Sequence, residues 1–299
     1  MNKHHKGIDY LRSLVFILIA TFICLGAADG ALEYQGIPII LFVMGSSFLI
    51  HWVVFIPSFI YRTEKYYDLT GMIAYLIAII ISTYLVILND IVLSPRTLLV
   101  SVMVSIWTVR LGLFLFKRIK VEKEDKRFRN LKNSFSGFLF AWTVSATWVC
   151  LTASNAFTMI IANSSLIGDI YFIIGFILWS FGFIIEIIAD QQKKKFKLDK
   201  SNKDKFISTG LWSVSRHPNY AGEITLWFGI SIISFPVLEG WQFITLISPI
   251  FVYLLLTRVS GINMLEKRSD DQWGDQSEYQ NYKKNTPVLF PYLKRQINR

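Results

Sequence analysis

The chain has 299 residues, 53% of them hydrophobic, 15% aromatic and only 17% charged, with a mean hydropathy of +0.43 and a net charge of +10. A soluble globular domain carries about 25% charged residues, so this chain lacks the polar surface to cover itself in water. Disordered, collagenous and disulfide-scaffold classes fall away too, the last because the only cysteines, Cys24 and Cys150, lie inside apolar stretches.

What remains is an all-α, multi-pass integral membrane helix bundle. Eight apolar stretches are long enough, or nearly so, to cross about 30 Å of hydrocarbon. They fall near 11–28, 37–61, 69–88, 98–116, 135–161, 170–189, 221–235 and 243–256. The last two are one apolar run divided by a turn between Pro236 and Gly240. The first is read as a span and not a signal peptide, being long for a signal core and lacking a small-x-small cleavage site.

The charges fix the orientation. With the N-terminus cytoplasmic, every Lys and Arg except Arg96 and Arg110 falls in a cytoplasmic segment: the start, 62–65, 117–132, 193–216 and the tail from 258. An odd number of crossings breaks that alternation. The reading is eight transmembrane helices with both termini cytoplasmic, residues 1–35 forming an N-terminal helix and 36–299 one membrane domain. Topology and anionic head groups account for the basic balance. No stacking-and-basic module points to nucleic acid.

Polar residues inside the spans are costly and mark sites. His51, alone in the second span, reads as a neutral group hydrogen-bonded to another helix; no HExxH or CxxC spacing supports a metal. Arg110 lies about 10 Å inside the end of the fourth helix, placed to snorkel, to meet an acid or to hold an anion. The loop after it carries Arg118 and the run Lys123 to Arg129, a solvated face or one wall of a phosphate site. Glu186 and Asp190, four apart, share a face of the sixth helix, where they can orient a ligand or pair with Arg110 or Arg118.

The segment 210–223 is the densest in information. Pro218 holds His217 out of the helical region and suits a helix first turn. A helix N-terminus at the membrane surface binds anions, and Arg216 adds a positive fork. Asn219, Tyr220 and Glu223 follow in the first turn, the last placed to cap N–H groups or hold a ribose hydroxyl. No GxGxxG or P-loop is present, so a nucleotide here is held by helix ends and arginines.

At SRHPNYAGE the chain resembles the steroid 5-alpha-reductase and sterol reductase superfamily. It is similar, more closely, to the membrane family called domain of unknown function 1295. YYDLTG at 66–71, WTVRLGLFLFKR at 107–118, EDKRF at 124–128, FIIEIIADQQ at 183–192, Trp273, Gly274, Tyr279 and TPVLFPY support this over about residues 60–292. The resemblance implies NADPH held at the cytoplasmic end and a lipid-like substrate entering from the bilayer. Asn219, Tyr220 and Glu223 line the nucleotide on this basis, Asp190 is an acidic cofactor contact, and Arg110 lies near the nicotinamide; Arg118 and Arg127 are looser phosphate contacts. Glu186 stands where the steroid reductases have asparagine, and Trp107 where they have a tyrosine. Isoprenylcysteine and phospholipid methyltransferases carry a similar RHPxY element at an S-adenosylmethionine site.

The expected function is NADPH-dependent reduction of a C=C bond in a hydrophobic substrate, with Asp68 or Tyr67 as proton donor. The expected cofactor set is Arg110, Arg118, Arg127, Glu186, Asp190, Arg216, His217, Asn219, Tyr220 and Glu223, with no metal. The alternatives are an S-adenosylmethionine-dependent membrane methyltransferase and a non-enzymatic lipid-binding or transport protein. The host membrane is the inner or plasma membrane of a bacterium, or the endoplasmic reticulum of a eukaryote.

Overall fold

The computed structural model describes residues 3–165, 168–259 and 261–291. Eight helical segments among them are long and apolar enough to cross a membrane, in the number and order expected. In chain order the helices are α1 (Lys3–Ala27), α2 (Ile39–Ile60), α3 (Tyr67–Ile87), α4 (Pro95–Glu122), α5 (Phe135–Thr152), α6 (Ser154–Ala162), α7 (Ile170–Leu198), α8 (Pro218–Ser234), α9 (Ile247–Leu254), α10 (Ile262–Trp273) and α11 (Ser277–Asn285). A two-residue hairpin, β1 (Glu33–Tyr34) with β2 (Ile37–Pro38), is the strand pairing among the described residues. Its turn places Gln35 and Gly36 at positive φ, which matches the twist of a tight hairpin.

Several helices turn large apolar side chains outward and bury small or polar ones, whereas α5 and α6 also bury Phe138, Trp142 and Phe157. Leu11, Leu14, Leu18, Phe22 and Leu25 of α1 recur at helical spacing and are all exposed, whereas Ser13, Ala20 and Ala27 are buried. Lipid is as apolar as leucine, so close packing and hydrogen bonds, not burial of oil, hold such helices together.

Three boundaries depart from expectation, each for a local reason. The apolar run 135–161 is broken at Ala153 into α5 and α6. There the Ser154 hydroxyl donates to the carbonyls of Leu151 and Thr245, and the Asn155 side chain accepts from the Ala156 N–H. Short polar side chains offer the backbone an alternative to the helix ladder. The eighth segment is composite: a tight 3-10 stretch over Gly240–Leu246, then α9, a π-helical turn over Leu255–Val259 and α10. Lastly, α4 and α7 run on to Glu122 and Leu198. At 1.5 Å per residue α7 is about 43 Å long, so its lysines continue the rod that carries Glu186 and Asp190.

The chain divides into two compact units, residues 1–172 with 231–248, and residues 173–230 with 249–299. In the first, His51 is fully buried. Its Nδ1 donates to the Ser47 carbonyl at 2.7 Å, and its Nε2 accepts from the Ser145 hydroxyl at 3.0 Å. The histidine is thus a neutral cross-helix bridge, as its isolation in the sequence implied.

In the second unit α7 and α8 touch backbone to backbone. A Cβ on Gly182 would lie 2.5 Å from the Gly222 carbonyl, and one on Gly229 2.6 Å from that of Gly175. Gly175 and Gly182, like Gly222 and Gly229, are seven residues apart, two helical turns, and so share a face. Small residues at such spacing let membrane helices approach closely.

Candidate functional site

Two polar clusters take up the residues singled out by the sequence, one in each unit. The first gathers where α3 begins and α4 ends. Tyr67 opens α3, its ring 4.7 Å from that of Phe128 and 5.3 Å from that of Trp142, and its hydroxyl donates to the Ala141 carbonyl at 2.9 Å. Asp68, half-buried, feels the charges of Arg127 and Arg118. Arg127 grips Asp125 through Nε and Nη2 at 2.8 and 2.6 Å. Burial acts to raise Asp125, but the Arg127 guanidinium outweighs it and holds the carboxyl below its ordinary range.

Glu64, overlooked in the sequence, anchors this cluster from beneath. It accepts from the Asp125 N–H at 2.9 Å and pairs with Lys132 at 3.1 Å. The nearest sequence signal was its place just before YYDLTG. Arg110 sits lower on α4, its guanidinium 5.4 Å from the Phe114 ring one turn on. Trp107 is buried with its ring edge-on to Tyr75 at 5.4 Å.

The second cluster is built on the α7–α8 crossing. Because Gly222 meets the backbone of Glu186 and Gly182, the first turn of α8 lies against the turn of α7 that carries Glu186 and Asp190. Glu186, Asp190 and Glu223 are all buried. Asn219 donates to the Asp190 carboxylate at 3.3 Å. The Trp212 indole donates to the Ala189 carbonyl at 3.1 Å, and the Lys193 ammonium lies 4.5 Å from the centre of the Trp212 ring.

Arg216 and His217 are fixed by the chain's tail. Their N–H groups donate to the carbonyls of Pro287 and Val288 at 2.9 and 3.1 Å, a short ladder that joins the RHP element to TPVLFPY. Their side chains share one carboxylate. Glu266 of α10 meets Arg216 at 3.2 Å and His217 at 2.8 Å, and Lys283 at 3.9 Å. Lys283 also pairs with Asp270, which accepts from the Tyr279 hydroxyl. The Tyr282 hydroxyl donates to the Trp212 carbonyl at 2.6 Å, and Phe206 packs among Trp273, Tyr279 and Tyr282. Tyr220 stacks on the His217 ring at 5.7 Å.

The charge of Arg216 is therefore met within the protein by Glu266, where the sequence suggested a fork open to an anion. No local pattern pointed to Glu266, Asp270, Lys283 or Tyr282. They lie 49 or more residues from His217, and only folding of α10 and α11 brings them in.

The electrostatics follow the burial. Desolvation lowers the His217 pKa; Glu266 acts to raise it, Lys193 and Arg216 to lower it, and the net result is a depressed value. Burial together with Glu266 and Asp270 pushes Tyr279 up to about 12. Folded His217 binds a proton less readily than the unfolded side chain. Its contribution to stability is thus complete above the unfolded pKa of about 6.5 and is lost as pH falls below it. Melting temperature should drop as pH is lowered through that window, and His217→Gln should flatten this part of the curve.

The fold and these clusters define a polytopic helical membrane protein whose buried polar residues gather beside its basic loops. The chain belongs to the DUF1295 family: the family model described as "Protein of unknown function (DUF1295)" matches residues 54–286. The "Probable O-methyltransferase ustE" of Ustilaginoidea virens is 31% identical over 94 residues, 31% of this chain. The match spans about a third of that relative's own length (32%). No solved structure matches the chain.

Proposed function

We propose that this protein is an NADPH-dependent membrane reductase acting on a C=C bond of a hydrophobic substrate, with the cofactor seated on α7 and α8. The observation that supports it best is the Asp190–Asn219 pair at the crossing, followed on the same rigid helix by Lys193, Lys194, Lys195 and Lys197. A dinucleotide needs both kinds of surface. Its ribose hydroxyls and carboxamide call for neutral donors and carboxylate acceptors, and its phosphates for a row of cations.

The residues present fit that pattern. Asp190 accepts from hydroxyls, Asn219 offers an amide donor, and the lysines one to two turns beyond supply positive charge. Bound NADPH supplies a hydride. The chain's part is to orient the cofactor and to exclude water with the apolar faces of its helices. Of the two expected proton donors, Asp68 is half-buried. Tyr67 already directs its hydroxyl proton to the Ala141 carbonyl.

A second reading is an S-adenosylmethionine-dependent methyltransferase, which the similarity to the O-methyltransferase favours. Within 170–190 of α7 and throughout α8, the charged residues are Glu186, Asp190 and Glu223, all acids. Such a lining suits a sulfonium cation.

One experiment separates the readings. Purified protein in detergent is heated with NADPH, with S-adenosylmethionine and with neither, and the co-purified small molecules are identified by mass spectrometry. The reductase reading expects NADPH to raise the melting temperature, and Asn219→Ala to weaken its binding by about 1–3 kcal/mol. A shift with S-adenosylmethionine alone overturns it in favour of methyl transfer. No shift with either ligand leaves lipid binding or transport.

A further inference from the structure

A cleft of about 450 Å³ lies between the end of α1 and the 3-10 stretch Gly240–Leu246; Phe22, Leu25, Gly26, Asp29, Trp241 and Ile244 line it. Clefts that hold a small molecule run to about 300–1,000 Å³. All six residues belong to the first compact unit. Gly26 sets the floor: a Cβ there would lie 3.3 Å from the Trp241 carbonyl oxygen, so helix and stretch meet without a side chain between them. The stretch is tied down at the same place. The Trp241 N–H donates to Oδ2 of Asp29 at 2.8 Å, and the Gln242 side chain donates to the Asp29 carbonyl at 2.7 Å. The cleft therefore has fixed walls.

Its place in the membrane follows from α1. The helix starts among basic residues and ends at Ala27, so its end is on the outer side by the charge rule. Asp29 comes two residues later, at head-group depth. Trp241, 72% exposed, stands at the same level, where tryptophans anchor at the interface. Phe22 and Leu25 belong to the exposed ridge of α1 that continues through Leu18, Leu14 and Leu11. The cleft thus opens sideways into hydrocarbon and has one charged residue, Asp29, in its lining. The charge around it is negative as well. The outer segments carry Asp29, Glu33, Asp90, Asp169 and Glu239 against Arg96, and Arg96 is paired with Asp169.

We propose that this cleft binds one outer-leaflet phospholipid with an ethanolamine head group. The head group's ammonium donates to Oδ1 of Asp29, which takes no hydrogen bond among the described residues. Trp241 adds an aromatic wall, which favours a cation. One acyl chain lies against Phe22, Leu25 and Ile244 and runs on along the α1 ridge. A glycerol head group brings the same phosphate and no cation, so it leaves Asp29 unanswered and adds repulsion. Selectivity between the two lipids is that difference. The site draws on no residue of either polar cluster, and so stands whichever cofactor the protein takes.

The test is native mass spectrometry of the full-length protein in detergent, titrated with phosphatidylethanolamine and phosphatidylglycerol of identical acyl chains. The expected result is one tightly retained lipid, with ethanolamine preferred over glycerol. Asp29→Asn keeps an oxygen to accept the Trp241 N–H and removes the charge. It should leave the melting temperature unchanged and reduce the preference by about two- to fivefold, the range of an exposed ion pair. Trp241→Ala removes a wall and should weaken retention of both lipids. A phosphatidylethanolamine carrying a diazirine on its acyl chain should label Phe22, Leu25 or Ile244 on irradiation. Equal retention of the two lipids by the wild type, an undiminished preference in a folded Asp29→Asn, or labelling confined to other helices overturns the proposal.

Discussion

Gly222→Val is expected to destabilise the protein by about 3 kcal/mol or more, at or beyond the upper end for overpacking. A Cβ at residue 222 would lie 2.6 Å from the Gly182 carbonyl oxygen and 2.8 Å from the Glu186 nitrogen. Both are backbone atoms of α7 and cannot swing aside as a side chain would. The contact is reciprocal, since a Cβ on Gly182 would stand 2.6 Å from the Leu226 nitrogen. The two helices must separate to admit the methyl groups. That also displaces Asn219 from Asp190 and should reduce any stabilisation by cofactor. Gly45→Val and Gly71→Val are the controls: a Cβ at either position meets nothing within 4 Å, so both should melt within about 0.5 kcal/mol of wild type. Melting temperatures in detergent decide it. If Gly222→Val melts with the controls, α7 and α8 do not cross as closely as described.

Glu266→Gln is expected to cost about 3 kcal/mol, the lower end of what is lost when one partner of a buried ion pair is removed. The lower end applies because the Glu266 side chain keeps 19% exposure and Lys283 retains Asp270. Arg216 is the residue left worst off. Its side chain is 11% exposed, and its Nε has no hydrogen-bond partner even with Glu266 in place. Adding Arg216→Gln to Glu266→Gln should therefore recover part of the loss, because the uncompensated charge is gone. Chemical unfolding of the two single variants and the double variant measures the coupling. Simple additivity would mean that Arg216 and Glu266 do not depend on one another.

These two residues also mark how far the sequence could be read. The number and order of the spans were legible because hydrocarbon imposes a minimum length on an apolar helix and topology sorts lysine and arginine to one side. Both constraints act on stretches of chain and need no tertiary partner. Thr152, Ser154 and Asn155 interrupt the apolar run around Ala153, but whether they break the helix depends on Ser154 and Asn155 finding backbone partners, one of them the Thr245 carbonyl.

The site divides in the same way. His217, Pro218, Asn219 and Glu223 announce themselves because the proline sets a helix start and the polar residues crowd its first turn. Likewise Glu186 and Asp190 stand out against isoleucines. What the sequence by itself determined is which local segments carry polar chemistry and that an apolar solvent surrounds them. Only the tertiary structure decided which charges meet. Arg216 answers to Glu266 and Lys132 to Glu64. Electrostatic and hydrogen-bond energies fall steeply with distance, and the distance between residues remote in sequence is set by glycine-thin crossings, helix lengths and tail packing.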